Sequence, residues 1–122
     1  MEGRVKYMLM ICRDEPTWET LSASERQRIY RDMVDLSQEL TARGQYLGGL
    51  PLHPSSSATC VRVRDGKRIV TDGPFAETRE QLGGIVIIDV KDLDEALAIA
   101  ARIPLARTST VEVRPVREGE PS

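Results

Sequence analysis

The sequence predicts an α+β fold of the ferredoxin-like kind, β-α-β-β-α-β, with an inserted β-hairpin. Three observations lead there. Strand-like and helix-like segments follow one another in that order. An Asp65-Gly66 pair lies between two β-rich runs, a strong hairpin signal because both residues tolerate positive φ. Two of the strands, Val5 to Cys12 and Ile85 to Val90, carry apolar side chains on both faces.

Each element has its own reason. Val5 to Cys12 is β-rich and apolar, and Glu15-Pro16-Thr17-Trp18 breaks it. Ser22-Ala23-Ser24-Glu25 has the form of a capping box, in which serine and glutamate satisfy free amides at a helix start. Ile29, Met33, Leu36 and Leu40 recur at helical spacing, so Ser22 to Arg43 reads as an amphipathic helix capped by Gly44. Tyr46 to Leu52 is the second strand, and Pro51, Pro54 and Ser55-Ser56-Ser57 mark a loop. Ala58 to Arg64 and Lys67 to Asp72 form the hairpin, with Arg62, Arg64 and Lys67 on one side of it. That basic face is either solvated or a contact for an anionic ligand or acidic surface. Ile85 to Val90 is the next strand. Asp92 caps a second helix with Leu93, Ala96, Leu97 and Ala100 as its buried stripe, and Pro104 stops it. Thr110 to Val116 is the last strand, and residues 117–122 form a polar tail.

The 122 residues fit one domain, 1–122. Hydrophobic content of 40% permits a core, and only 4% aromatics make that core aliphatic. A net charge of −2 argues against nucleic-acid or anionic-membrane binding, which needs a concentrated positive field. Met8 to Cys12 is too short for a transmembrane span or a signal-peptide core, so a cytoplasmic protein is expected. Cys12 and Cys60 form no CxxC motif and read as free thiols. The expected partner is a second copy. Two helices bury only one sheet face, so the apolar side chains of the other face call for a homodimer packed sheet to sheet. The alternative is that the hairpin or tail folds over that face.

Thr71-Asp72-Gly73-Pro74-Phe75-Ala76-Glu77-Thr78, followed by Gln81-Leu82-Gly83-Gly84, is the most informative stretch. With Lys6 to Met10, Ala58 to Gly66, Ile88 to Ala96, Ala101 to Pro104 and Val111 to Val116, it resembles the DGPF type of the YCII-related superfamily across nearly the whole chain. The resemblance implies a dimeric α/β-barrel assembly of ferredoxin-like units. It also implies a genomic setting beside extracytoplasmic-function sigma factors, hence a functional link to one. The wider superfamily has a proposed His-Asp pair, with His on the first helix and Asp before a proline after the second. Here Ser22 to Arg43 contains no histidine and Ile103 precedes Pro104, so that pair is missing at both positions. Arg79 stands where the branch usually has lysine, and Ile85-Val86 where it often has aromatics.

Asp72 is the candidate catalytic acid or base, since a desolvated carboxyl beside a turn suits proton transfer. Its other reading is a turn residue that accepts backbone amide bonds. Gly73 and Pro74 shape the loop, and Phe75 is either a pocket wall or a buried anchor. Glu80 could face the same opening as Glu77 and Arg79. Tyr7 and Arg114 lie on strands compatible with pairing, which makes Arg114 a possible carboxylate anchor. His53 sits alone in a loop. Gly83-Gly84 precedes a strand rather than a helix, so it reads as a site of close chain crossing and not as a phosphate loop. No cofactor motif or metal cluster is expected. Three functions follow: a small-molecule enzyme using Asp72, a ligand-sensing or accessory protein in a sigma-factor pathway, and a dimeric scaffold.

Overall fold

Two long strands, β1 (Val5–Asp14) and β5 (Glu80–Val90), pair antiparallel at the centre of a computed structural model that describes residues 3–118. Both are rich in β-branched and apolar residues. β2 (Tyr46–Pro51) flanks β5 and β6 (Thr110–Pro115) flanks β1, giving the order β2-β5-β1-β6. The order and the antiparallel pairing are those of a ferredoxin-like α+β fold. β3 (Thr59–Arg64) and β4 (Lys67–Asp72) form a separate two-stranded hairpin. Asp65 and Gly66 take φ of 52° and 74° at its tip, and Arg64 stands opposite Lys67 as the two-residue turn requires.

α1 (Glu15–Thr20) is a short helix in the segment expected to be a simple break. Asp14 caps it by accepting from the Thr17 amide, and Pro16 sits in the first turn, where it removes no helical bond. α2 (Ala23–Ala42) starts at the predicted capping box, with Ser22 and Glu25 bonding reciprocally. Gly44, at φ 71°, follows its end. α3 (Leu93–Ala100) is capped by Asp92. Its buried stripe is Ala96, Ile99 and Ala100, followed by Ile103. Leu93 and Leu97, expected inside, are exposed, because the helix is rotated to set its small alanines against the sheet.

Alternation along the central strands sorts their side chains. Tyr7, Leu9 and Ile11 of β1 and Val86, Ile88 and Val90 of β5 face the helices and pack with Leu36, Leu40, Ile99 and Ile103. Met8, Met10, Ile85 and Ile87 point to the opposite face, where no helix covers them and they stay partly exposed. The hairpin does not cover that face either, since every residue from 61 to 72 is exposed. The tail beyond Glu118 lies outside the described residues.

A β-bulge interrupts the central ladder: Ile11 stands opposite Gly84 but Cys12 opposite Leu82, which leaves Gly83 as the extra residue. β5 thus begins at Glu80 rather than Ile85, and Gln81 to Gly84 are strand and not loop.

The two faces make opposite stability predictions. Leu9→Ala should lower unfolding free energy by about 3 kcal/mol, as large-to-small changes in filled cores do. Val63→Ala on the exposed hairpin should stay within about 0.5 kcal/mol. Urea unfolding of both variants checks the pair.

Candidate functional site

Arg13 continues the buried alternation of β1 and is only 7% exposed. A charged side chain reaches that position because the bulge leaves a glycine beneath it. A Cβ on Gly83 would lie 2.9 Å from the Arg13 Cδ. Gly49 and Gly84 are similarly constrained. A Cβ on the first would meet the Tyr46 hydroxyl at 2.8 Å, and one on the second the Leu50 carbonyl at 3.0 Å. The expected close crossing at Gly83-Gly84 is therefore present, between β5, β2 and the Arg13 stem.

These glycines floor a cleft of about 970 Å³ between α2 and the β2–β5 edge of the sheet. Its walls are mostly apolar, from Ile11, Ile29, Met33, Val34, Val86 and Leu105. Polar groups are few: Arg13, Arg26, Ser37, Gln38, Thr41 and Tyr46 are among them. Trp18 of α1 closes one end. The Arg13 guanidinium lies 4.8 Å from the centre of its ring, and that of Arg26 lies 5.4 Å away, both within cation–π range. Arg13 Nη2 donates to the Leu52 carbonyl at 3.3 Å and Arg26 Nη2 to the Trp18 carbonyl at 2.9 Å, while Nε of each is enclosed without a partner. Burial pushes the Arg13 guanidinium below its ordinary value; nearby Glu15 opposes that and Arg26 adds to it.

The signature loop stands beside this cleft rather than in it. Asp14 joins the two regions, holding the start of α1 through the Thr17 amide and receiving Arg79 Nε at 2.6 Å. The Glu15 amide donates to the Arg79 carbonyl, and the Glu15 carboxylate receives both the amide and the hydroxyl of Ser55. Within the loop, Gln81 Nε2 donates to the carbonyls of Ala76 and Thr78, and Gly73 N donates to Ala58 O.

Asp72 itself is exposed on β4 opposite Thr59, and among the described residues its carboxylate makes no hydrogen bond. The bonds that shape the turn come from Gln81 and the backbone, a role sequence reasoning had offered to Asp72. Gly73, at φ 89°, and Pro74 are half-buried, while Phe75 is 83% exposed and anchors nothing within its own chain. Glu80 lies opposite Asp14 in the ladder, half-buried. β1 and β6 do pair, but Tyr7 stands opposite Pro115 and Arg114 opposite Met8. Alternation sends the Tyr7 ring into the core and Arg114 to the uncovered face, where it pairs with Glu112. His53 is exposed. None of Asp72, Gly73, Pro74, Phe75, Glu80, Tyr7 or Arg114 lines the cleft. Arg13, Trp18, Arg26 and Tyr46 were missed. The available signal was Arg13, two residues beyond Ile11 on the buried alternation; ending the strand at Cys12 hid it.

A ferredoxin-like sheet with an open cleft under its longer helix defines a small α+β protein. The YCII-related domain matches residues 5–120, so the chain belongs to the YCII-related family. An uncharacterized protein of Rhizobium meliloti (strain 1021) is 38% identical over 112 residues, covering 90% of each chain. No helix among the described residues is long and apolar enough to cross a membrane.

The Asp14 junction carries a pH signature. The Thr17 amide, then the Arg79 guanidinium, hold its carboxyl below the usual carboxylate range. A depressed folded value gives stability that is full above the unfolded value near 4 and is lost as pH falls through the folded one. Asp14→Asn keeps a capping side chain but removes the charge. The variant should be less stable than wild type at neutral pH, and the gap should close between about pH 4 and pH 2. Thermal melts across that range measure it.

Proposed function

We propose that this chain is a small-molecule-binding protein that works as a homodimer, with the ligand held between α2 and the sheet. The cleft carries this reading. Its volume of about 970 Å³ matches the roughly 300–1,000 Å³ of ligand pockets, and its apolar walls with few convergent polar groups are typical of them. A plain scaffold would fill this space with side chains. Here three glycines line it and put no side chain into it.

The lining includes no Asp, Glu or His to act as a general base. Asp72, the residue on which proton-transfer chemistry would rest, is exposed outside the cleft. Both observations favour a ligand-sensing or accessory role over catalysis by Asp72. A sensing role agrees with the sigma-factor setting that the family resemblance implies.

The dimer reading rests on the uncovered sheet face. Met8, Met10, Cys12, Leu50, Ile85 and Ile87 form a continuous apolar surface there, set by the register of β6, β1, β5 and β2. Burial, then Glu112 and Glu80, push the Cys12 thiol up, so it stays neutral and suits an apolar contact. The face carries its own Glu112 and Arg114 at one edge, so a two-fold related copy brings both charge signs to the contact.

Two outcomes follow. Light scattering should give twice the 13.6 kDa chain mass, and Met10→Lys should halve it while keeping the far-ultraviolet circular dichroism. A wild type that scatters as a monomer would overturn the dimer. For the cleft, the neutral dye N-phenyl-1-naphthylamine should bind saturably, and Ser37→Trp, which projects a bulky ring into the cavity, should weaken that binding without unfolding the protein. A wild type that binds no dye, or a Ser37→Trp protein that binds as well as wild type, would sink the binding reading.

A further inference from the structure

Resting on the cleft being a binding site, we infer that its ligand is an organic anion with an apolar body, the anionic group held by Arg13 and Arg26 beside Trp18.

The charge distribution points this way. The chain has 19 acidic and 17 basic residues, yet the cleft is lined by Arg13, Arg26 and Arg31 and by no Asp or Glu. Five other arginines pair with carboxylates, among them Arg102 with Glu39, Arg79 with Asp14 and Arg4 with Asp89, while Arg28, Arg31, Arg62, Arg64, Arg68 and Arg107, which pair with none among the described residues, are all exposed to solvent. Arg13 and Arg26 make no ion pair among the described residues, although Arg13 is buried and Arg26 half-buried. Burying a cation is costly: desolvation is the largest effect on Arg13, the attraction of Glu15, whose carboxylate is bonded to Ser55, offsets part of it, and the repulsion of Arg26 adds to it.

The geometry leaves room for an anion. Each arginine spends one terminal nitrogen on a backbone carbonyl. Nη1 of each makes no protein hydrogen bond among the described residues and is not one of the enclosed atoms. Two free guanidinium edges near one ring suit a carboxylate, sulfonate or phosphate monoester, each able to take charge-assisted bonds from both. Both guanidinium groups lie within cation–π range of Trp18. Beyond them the walls are Ile29, Met33, Val34, Val86 and Leu105, which suit a hydrocarbon or ring. Gly83-Gly84 lies within the β5 ladder and opens no helix, so the backbone offers no cradle for a polyphosphate. A single compact anionic group on an apolar body fits better than a nucleotide.

The test compares two dyes that share a ring system. 8-Anilino-1-naphthalenesulfonate carries the anion, and N-phenyl-1-naphthylamine lacks it. Wild type should bind the sulfonate at least about tenfold more tightly, the effect expected of charge-assisted bonds. Arg26→Gln should weaken the sulfonate at least about fivefold more than it weakens the neutral dye, and Arg26→Lys should restore part of that difference. Arg26 is the variant of choice because it is half-buried on a helix, whereas Arg13→Gln could disturb the core. Equal affinity of wild type for both dyes would overturn the anion inference and leave the binding reading standing. So would an Arg26→Gln protein that weakens both dyes alike or neither. Failure of both dyes to bind wild type would sink the binding reading instead.

Discussion

The pairing of β1 with β5 is the constraint on which the rest depends. Their register decides which residues face the helices, and a one-residue slip would exchange the faces. With Leu9 opposite Val86 and Tyr7 opposite Ile88, one face collects the aliphatic core. The same register places Met8, Met10, Ile85 and Ile87 together on the other face. One ladder thus produces both a filled core and an unfilled apolar surface. Two helices can cover only the first.

The bulge at Gly83 turns this frame into a site. Without it, the end of β1 would pair regularly with β5, and Arg13 would meet a side chain. With it, Arg13 runs over a glycine and its guanidinium reaches Trp18. The local break costs regular ladder pairing at one position and re-aims one charged residue, the usual use of bulges near functional sites. The signature loop supports the arrangement from outside. Its Arg79 grips Asp14, which starts α1, which carries Trp18. The long motif therefore matters for the site through Gly83-Gly84 on the cleft floor and the contacts of Arg79 with β1 and α1 rather than through Asp72.

The hairpin remains outside this economy. Val61, Val63, Ile69 and Val70 are all exposed on it, and Phe75 follows at its base. Two strands without a third layer bury little. Among the described residues nothing covers these side chains, and the basic face of Arg62, Arg64 and Lys67 is exposed.

Local chemistry was enough to read most of the frame. The Ser22–Glu25 capping box, the Asp65-Gly66 turn, the Asp92 cap and the alternation in β1 and β5 each act within a few residues, so the sequence determined the order of elements and the two-sided strands. It did not reveal the rotation of α3, since Leu93, Leu97 and Ile99 are equally apolar and only the sheet beneath selects among them. Nor did it reveal the site. Asp72 stands out because the motif around it is long, whereas Arg13, Trp18, Arg26, Tyr46 and the three glycines come from five different elements. Only the tertiary structure could gather them, because a cleft is a property of distances between elements. The bulge that makes room for Arg13 exists only once two distant strands are in register.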